Sequence, residues 1–338
     1  MTIRESMTSF TNSIGIDAVG FLSMDQLEQW EEVAYTYLPS AKSCIAILLP
    51  YPLKGHSNSS LLPNQGRISE ASVSYDYHKL VGADLDKIKA YIDETFLVKS
   101  VALCDTHQLP ERVLSVKAGL GIIGRNSFLV NENYGTSTNI GLILTELELI
   151  DDLVDLSELD DLCIGCNKCI ASCPNSAINE DRTINVNVCI SYLTQKKELS
   201  SWDMDHMNRN IYGCDYCQMA CPYTQRAYEN YSKQSNMNLI SLSELIENQV
   251  VFNRYHQLDS TVDSASVIDI DNATFKNTLK KTSAGWIGKK RLQRNAIVSL
   301  RHHSNELSDS MLDSLKNDQR IDIVRTVENT IQSIKEHQ

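Results

Sequence analysis

The arrangement of cysteines constrains this chain more than any other feature of its 338 residues. Eight of the ten cysteines fall within residues 163–221. They run as Cys163-x2-Cys166-x2-Cys169-x3-Cys173-Pro174, then a lone Cys189, then Cys214-x2-Cys217-x3-Cys221-Pro222. A loop with cysteines three residues apart can wrap three corners of one cuboid cluster, while the Cys-Pro cysteine reaches toward a second cluster. The spacing therefore predicts a ferredoxin-like unit with two [4Fe-4S] clusters.

We expect the ligands of the two clusters to interleave, because each Cys-Pro cysteine points away from its own loop. The first cluster would take Cys163, Cys166, Cys169 and Cys221, and the second would take Cys173, Cys189, Cys214 and Cys217. The 24 residues between Cys189 and Cys214 exceed the spacing of a small ferredoxin. An insertion therefore interrupts the second loop, and its residues are candidates for contacts beyond the clusters.

Two structural alternatives must explain the same spacing. Zinc ribbons favour paired C-x2-C knuckles over a three-cysteine loop closed by Cys-Pro. Disulfides need an oxidising compartment, and the first 15 residues contain no apolar signal segment. We therefore expect intracellular, metal-bound thiols, and we interpret Cys44 and Cys104 as core residues without chemistry.

Composition limits what surrounds the cysteines. With 42% hydrophobic residues the chain can bury two or three cores, since domains commonly hold about 100–200 residues. The apolar run at residues 44–53 is shorter than the roughly 20 residues of a membrane helix, and it contains proline. We expect a soluble, cytoplasmic protein with no membrane partner.

Charge is distributed unevenly along the chain. The formal net charge of −12 argues against indiscriminate nucleic-acid binding. Residues 151–161 carry six acids in eleven residues and are typical of a solvated linker at a domain boundary. Residues 273–305 contain no acidic residue, which predicts a phosphate-binding surface. The basic residues of that stretch are Lys276, Lys280, Lys281, Lys289, Lys290, Arg291, Arg294 and Arg301.

Hydrophobic periodicity divides the chain into three parts. Residues 1–155 predict an α/β domain, residues 156–232 the ferredoxin-like domain, and residues 233–338 an α-helical, HEAT-like tail.

The segments behind this division differ in period. In the first part Ser43–Pro50 and residues 141–150 read as strands, and Tyr77–Phe96 as an amphipathic helix. The second part predicts a short helix after each Cys-Pro. Helices of the third part are expected at residues 241–248, 289–302 and 308–335, the last broken near Asn317.

The segment Gly119-Leu-Gly121-Ile-Ile-Gly124 has the G-x-G-x-x-G form of dinucleotide sites. A Rossmann fingerprint needs a strand before the glycines and a helix after them. Residues 111–118 read as a helix and residues 126–130 as a strand, so the order is reversed. We expect a turn, or a close approach of backbone to a flat or bulky ligand.

His107 follows Asp105-Thr106 and partly matches D-x-H-x-x-G, by which some proteins offer histidine to cobalt. Pro110 stands at the glycine position. The other reading is a surface or hydrogen-bonded histidine.

Together these motifs resemble the epoxyqueuosine reductases, cobalamin-dependent iron–sulfur enzymes of queuosine biosynthesis and tRNA modification. The resemblance spans nearly the whole chain, whereas the cysteine array alone is shared with reductive dehalogenases and many ferredoxin-like proteins. Its segments are Arg67-Ile-Ser69, Tyr75-Asp-Tyr-His-Lys79, Asp105-Thr106, residues 117–126, Tyr134-Gly135, residues 141–149, the eight cysteines, residues 189–194, Tyr212-Gly-Cys-Asp-Tyr-Cys217 and residues 288–296.

The resemblance implies an α/β domain and a ferredoxin-like domain that enclose cobalamin, and a helical tail that engages tRNA. The implied reaction removes the epoxide oxygen of epoxyqueuosine at the wobble position of tRNA, leaving queuosine, and consumes two electrons and two protons. An upstream low-potential electron donor is implied, and we expect a monomer.

Site residues carried over from the resemblance are expectations of the same kind. Asp105 would be the proton donor, with a pKa raised by burial; the alternative is that Asp105 caps the following helix. Cobalamin contacts are expected from Asp105, Gly121, Arg125, Ser191 and Asp215, and tRNA contacts from Lys289, Lys290, Arg291 and Arg294. Tyr192, Thr194 and Tyr216 would touch the corrin or tRNA, or fix the loop by local hydrogen bonds.

Three residues depart from the pattern of the resembled family and leave its substrate open. They are Arg125 for lysine, Ile122 for an aromatic residue and Leu142 for an acid. The alternatives are a cobalamin-dependent reductive dehalogenase acting on a small molecule, which has no use for the basic tail, and an electron-transfer protein, which has no use for Asp105.

Overall fold

The computed structural model describes residues 2–51, 61–62, 64–149, 162–231, 238–248, 252, 256–301 and 306–337. The acid-rich segment at residues 151–161, expected to be a linker, lies outside the described residues. None of the described helices is long and apolar enough to cross a membrane.

Strands and helices alternate in the first half of the chain, and helices dominate the second. The described strands are β1 (Val19–Ser23), β2 (Ser43–Pro50), β3 (Gln65–Ile68), β4 (Ser100–Leu103), β5 (Ile122–Ile123), β6 (Leu129–Val130), β7 (Thr138–Thr145), β8 (Asn210–Tyr212), β9 (Asn238–Ile240), β10 (His256–Leu258) and β11 (Thr261–Asp263). The described α-helices are α1 (Ile3–Ser13), α2 (Glu31–Tyr37), α3 (Tyr77–Phe96), α4 (Glu111–Lys117), α5 (Lys168–Ser172), α6 (Ile190–Leu193), α7 (Ser201–His206), α8 (Tyr216–Met219), α9 (Pro222–Tyr231), α10 (Leu242–Glu247), α11 (Ser264–Ile268), α12 (Asn272–Asn277), α13 (Lys289–Ser299), α14 (Glu306–Leu315) and α15 (Ile321–His337). Short 3₁₀ turns span Met24–Trp30, Glu70–Ser72, Leu279–Lys281 and Ser283–Ile287.

A four-stranded antiparallel sheet in the order β1-β2-β7-β4 forms the centre of the first layer. Strand β2 is apolar without alternation because both of its faces are covered. Ile45 and Ile47 pack toward Leu85 of α3, whereas Cys44 and Ala46 belong to the core on the opposite face. The predicted strand Ser43–Pro50, the predicted helix Tyr77–Phe96 and the core position of Cys44 are confirmed.

The glycine segment runs from the end of helix α4 into the hairpin of β5 and β6 and contains β5, so a strand and not a helix follows its first glycines. Gly121 has φ +146°, and a Cβ there would stand 2.3 Å from the carbonyl oxygen of Val130. Only glycine permits this approach without moving backbone. The glycines therefore shape a hairpin and are not followed by a helix that could receive a phosphate.

A second, three-stranded sheet joins the three predicted parts of the chain. Its order is β11-β3-β8, so one strand comes from each part. Ile68 and Val73 are fully buried in the same core as Ile211 and the helices of the tail. The three predicted parts of the chain therefore do not each form a separate core. Residues 65–75 belong to the first part by sequence, but they pack in the core of the tail.

Helix α13 is bound to the insertion that separates Cys189 from Cys214. Arg294 donates to the carbonyls of Lys196 and Lys197 at 2.9 and 2.7 Å. Asn295 donates to the carbonyls of Thr194 and Ile211 at 2.7 and 2.8 Å, and it is fully buried. These side chains satisfy backbone oxygens that no strand or helix pairs, which fixes the tail on the cysteine region.

The helices of the tail fall where the periodicity predicted them, as α10, α13, and α14 followed by α15. The helix predicted after Cys221-Pro222 is α9. The helix predicted after Cys173-Pro174 is wrong. Residues there form turns around a bridge between Ile178 and Ile184, and Asn175 is held by the carbonyls of Val188 and His206 instead of a helical ladder.

The docking of α13 gives a stability prediction. Asn295→Leu keeps the side-chain size but leaves two buried carbonyls without donors, at a cost of about 2 kcal/mol or more. We expect the thermal unfolding midpoint to fall by about 4 °C or more. The exposed Asn277→Leu is the matched control and should leave the midpoint in place; equal midpoints for both variants would contradict this role of Asn295.

Candidate active site

The first set of cysteines is the set predicted to bind the first cluster, and three of its members lie in the loop at the start of the cysteine region. Cys163 and Cys166 form a turn through the Cys166 N–H and the Cys163 carbonyl, with Gly165 at φ +67°. Cys169 and Cys221 are buried, each 9% exposed. Burial raises the pKa of Cys169, and the nearby thiolates of Cys163, Cys166 and Cys221 raise it further. The four cysteines assigned to the first cluster therefore face one another.

The second set of cysteines shares one cavity of about 530 Å³. Cys173, Cys189, Cys214 and Cys217 all line it. Burial raises the pKa of both Cys214 and Cys217, and the charge of Cys189 raises both further. The structure therefore brings together the second predicted ligand set, although Cys169 also lies close enough to Cys217 to raise its pKa.

Four thiols in each set provide the donor atoms that a [4Fe-4S] cluster requires. Iron must displace the thiol protons, so the raised pKa values make cluster binding dependent on pH. Among the described residues no three His, Cys, Asp or Glu side chains are grouped to hold a single metal ion.

Three cavities that share lining residues, together called the cleft, extend from the second set of cysteines to Asp105. The cavity at the cysteines adjoins one of about 430 Å³ at Asp105 and one of about 180 Å³ at Tyr77. Arg112 lines all three cavities, and Ser127 lines two of them. The Arg112 guanidinium donates to the Ser127 carbonyl, which fixes the wall where the cavities meet.

Asp105 stands at the edge of this cleft on a loop after β4. Its backbone is left-handed, with φ +56°, and its N–H donates to Glu111 at 2.7 Å. One carboxylate oxygen lies 3.0 Å from Nε2 of His78, whose Nδ1 lies 2.7 Å from Asp76. The expectation that Asp105 is buried is wrong for this structure, since its side chain is 53% exposed. The capping alternative is also wrong, because the N-cap of α4 is Pro110.

His107 is a structural histidine. Its Nδ1 accepts the N–H of Leu109 at 3.1 Å, and its Nε2 donates to Glu111 at 3.0 Å. The side chain is 2% exposed. Both ring nitrogens are engaged, so the alternative of His107 as a cobalt ligand is not supported.

Three of the residues predicted to contact cobalamin are in close contact with other parts of the protein. Asp215 is buried and accepts hydrogen bonds from Ser69 Oγ at 2.6 Å and from the N–H of Glu70 at 2.8 Å. Gly121 is enclosed by the backbone of Val130. Arg125 donates to Asn167 in the first cysteine loop at 2.5 Å. These contacts hold the loops in place.

The insertion contributes both wall residues and internal bonds. Ser191, Tyr192 and Tyr216 line the cavity at the cysteines. Thr194 is fully buried and accepts the N–H of Gly213 at 3.0 Å, so its reading as a local hydrogen-bonding residue is correct.

The predicted tRNA contacts divide between the surface and the core. Lys289 and Lys290 begin helix α13, and Lys290 pairs with Asp322. Arg291 is partly exposed and donates to the carbonyl of Gln195 at 3.1 Å. Arg294 is 6% exposed and bound to carbonyls, so its prediction as a phosphate contact is wrong. Burial lowers the pKa of Arg294 to about 10.

Sequence reasoning missed two residues of the cleft. His78 belongs to a motif shared with the resembled family, and its position two residues after Asp76 at a helix start was the available signal. No signal in the sequence marked Arg112, because one arginine in a short helix is typical of a solvated surface.

The interleaving of the cysteines is testable by iron content. Cys163→Ala and Cys221→Ala remove ligands of the same set, so the double variant should lose the same single cluster as each single variant. Cys163→Ala with Cys217→Ala should lose both. Iron and sulfide analysis with electron paramagnetic resonance measures this, and the pairing is contradicted if the first double variant loses both clusters.

Two protein-family models match the chain. The model "4Fe-4S double cluster binding domain" matches residues 162–224, which decides against zinc and disulfides for the cysteine region. The model "Epoxyqueuosine reductase QueG, DUF1730" matches residues 34–106, from α2 to the Asp105 loop.

Whole-chain comparisons point the same way. The epoxyqueuosine reductase of Staphylococcus aureus is 29% identical over 327 residues, covering 89% of this chain and 80% of the relative. That of Listeria monocytogenes is 27% identical over 346 residues, covering 94% and 86%. Two crystal structures of epoxyqueuosine reductase, one with an epoxyqueuosine-modified stem loop of tRNA-Tyr, each superpose with a TM-score of 0.80 at 25% identity over 98% of this chain and 90% of theirs. In sequence and in fold the chain is similar to epoxyqueuosine reductases over nearly its whole length.

Proposed function

We propose that this protein reduces epoxyqueuosine to queuosine at the wobble position of tRNA, using two [4Fe-4S] clusters and cobalamin. The observation that carries the proposal is the cleft that runs from the second set of cysteines, past Arg112, to Asp105. Electrons can enter at one end of this cleft and a proton at the other. A separate low-potential donor would refill the clusters.

The walls of the cavity at the cysteines suit a flat, largely apolar macrocycle. Phe128, Ile178, Val186 and Ile190 line it, with Ser191 among the few small polar residues. Ligand sites of this kind combine apolar walls with a small number of polar groups that fix orientation. When bound there, cobalamin would supply the low-potential cobalt centre that delivers electrons to the substrate. Asp105, Phe128 and Ser191 are the residues that we propose border it.

Asp105 has the geometry of a proton donor to the epoxide oxygen. Both C–O bonds of the epoxide break, the carbon–carbon double bond forms, and the oxygen leaves as water after taking two electrons and two protons. The ring opens with difficulty unless an acid protonates the leaving oxygen. Asp105 would relay the first proton to the oxygen from Nε2 of its partner His78, which lies 3.0 Å away.

His78 is held in the state that can do this. Burial lowers the pKa of His78, but the hydrogen bonds to Asp76 and Asp105 outweigh it and raise the pKa above the usual value. Both ring nitrogens face carboxylate oxygens, so the doubly protonated ring can donate to both. The charged pair is fully present below the ordinary histidine pKa and is lost as pH rises through the raised value.

The proton relay gives a prediction for Asp105 and His78. Asp105→Asn should lower the single-turnover rate by roughly 10²–10⁴-fold, the usual contribution of a general acid, while cobalamin absorbance changes persist. The exposed Asp86→Asn on α3 is the control and should be silent. Full activity of Asp105→Asn would contradict the proton donor.

The pH dependence tests His78 separately. We expect the wild-type rate to fall as pH rises through the raised His78 pKa, and His78→Gln to lose that part of the profile. Nuclear magnetic resonance of the labelled imidazole should show a lower His78 pKa in Asp105→Asn, because one carboxylate is gone. An unchanged titration would contradict the pair.

The basic start of α13 is proposed to bind tRNA phosphates. Lys289→Gln with Lys290→Gln should weaken binding of a tRNA stem loop and reduce the salt slope of log K by about one for each phosphate that these lysines neutralise. Lys316→Gln with Lys335→Gln removes the same amount of charge near the end of the tail and should have no effect. Equal binding by both double variants would contradict this surface and favour a small-molecule substrate.

A further inference from the structure

Trp286 is an exposed aromatic residue that the reduction chemistry does not use. It lies in the 3₁₀ turn Ser283–Ile287, just before helix α13, and is 58% exposed. Exposed tryptophans are costly to leave in water without a partner, and single-stranded RNA is a common partner because bases stack on aromatic rings. The contacts of the ring indicate whether it is arranged to bind such a partner.

The indole ring is held in one orientation before any ligand binds. Its Nε1–H donates to the hydroxyl of Tyr212 at 2.7 Å, and Tyr212 is 8% exposed. The guanidinium of Arg291 lies over the ring, 5.9 Å from its centre. With one face covered in this way and most of the residue exposed, a second planar group has room to stack. A ring that is already fixed loses little conformational entropy on binding.

The turn that carries Trp286 is tied to the loop that carries the proton relay. Thr282 forms a β-bridge with Tyr75, and the N–H of Asp76 donates to the carbonyl of Lys281 at 2.8 Å. Asp76 is also the partner of His78. Burial raises the pKa of Tyr212, the partner of Trp286, and the nearby charges of Asp76 and Asp105 raise it further, so Trp286 lies near the proton relay.

Charge around the ring matches an RNA backbone. Trp286 lies within residues 273–305, which contain no acid. Lys280 is exposed before it, and Lys289 and Lys290 follow it. Aromatic stacking combined with neighbouring cations is the usual composition of surfaces that bind unpaired nucleotides.

We propose that Trp286 stacks on an unpaired base of the anticodon loop beside the nucleotide being reduced, and so positions the wobble nucleotide over the cleft. The inference rests on the proposed function for the identity of the RNA. It assigns to Trp286 a positioning role, with Tyr212 and Arg291 fixing the ring. No step of the reduction passes through it.

Binding of an unmodified tRNA-Tyr stem-loop RNA to the reconstituted full chain tests the proposal. Trp286→Ala should raise Kd by roughly tenfold, within the range for loss of one stacked base, whereas Trp286→Phe should keep most of the affinity. The control is Trp202→Ala, since Trp202 is 43% exposed and stacks on His206 of its own helix. Its Kd should equal that of the wild type.

Fluorescence adds a readout that a folding defect does not mimic. The stem loop should quench tryptophan emission in the wild type and in Trp202→Ala, but less in Trp286→Phe. Equal affinity of Trp286→Ala and the wild type, or no stem-loop binding by the wild type, overturns the proposal.

The proposed function is judged separately, by whether the wild type reduces epoxyqueuosine. If the protein reduces epoxyqueuosine but binds the stem loop independently of Trp286, the proposed function stands and the inference about Trp286 fails. If binding depends on Trp286 but no reduction occurs, the binding role of Trp286 stands and the proposed function fails.

Discussion

The bonds between helix α13 and the insertion hold the molecule in its working arrangement. Arg294 and Asn295 donate hydrogen bonds to four backbone carbonyls, those of residues 194, 196, 197 and 211. Arg301 forms an ion pair with Asp205 on the same insertion. These side chains are buried, so losing one leaves polar groups unpaired at a cost of about 1–3 kcal/mol each. These bonds join the tail to the cysteine region. They keep the start of α13 against the insertion, whose Ser191 and Tyr192 line the cavity at the cysteines.

The insertion between Cys189 and Cys214 provides the surface to which α13 is bound. The loop between α6 and α7 and strand β8 supply the carbonyls that α13 binds. The insertion also supplies Leu193 and Met204, which pack against Val298 of α13. The insertion also lends Ser191 and Tyr192 to the cleft wall. One segment thus connects the cysteines, the tail and the wall of the cleft.

The sequence predicted the features that depend on local pattern. The eight cysteines are close in the chain and their spacing is set by the cluster, while Ser43–Pro50 and Tyr77–Phe96 follow from hydrophobic period. The predictions that were wrong concern residues whose surroundings depend on long-range packing. Arg294 has the composition of a phosphate contact and Asp215 that of a cofactor contact, but each is buried by a partner about 100 or more residues away. Asp105 was expected to be buried because of its role, yet its left-handed loop position leaves it half exposed beside His78.

The cysteines of the second set line one end of the cleft, and Asp105 with its partner His78 lies at the other. In the proposed reaction, electrons would reach the substrate from the cysteine end and a proton from the Asp105 end. The most direct test is the nucleoside composition of tRNA from a strain that lacks this protein, measured by mass spectrometry with and without the restored gene. The account predicts that epoxyqueuosine accumulates in the deletion strain and that the wild-type chain, but not Asp105→Asn, restores queuosine. Normal queuosine in the deletion strain, or restoration by Asp105→Asn, would contradict it.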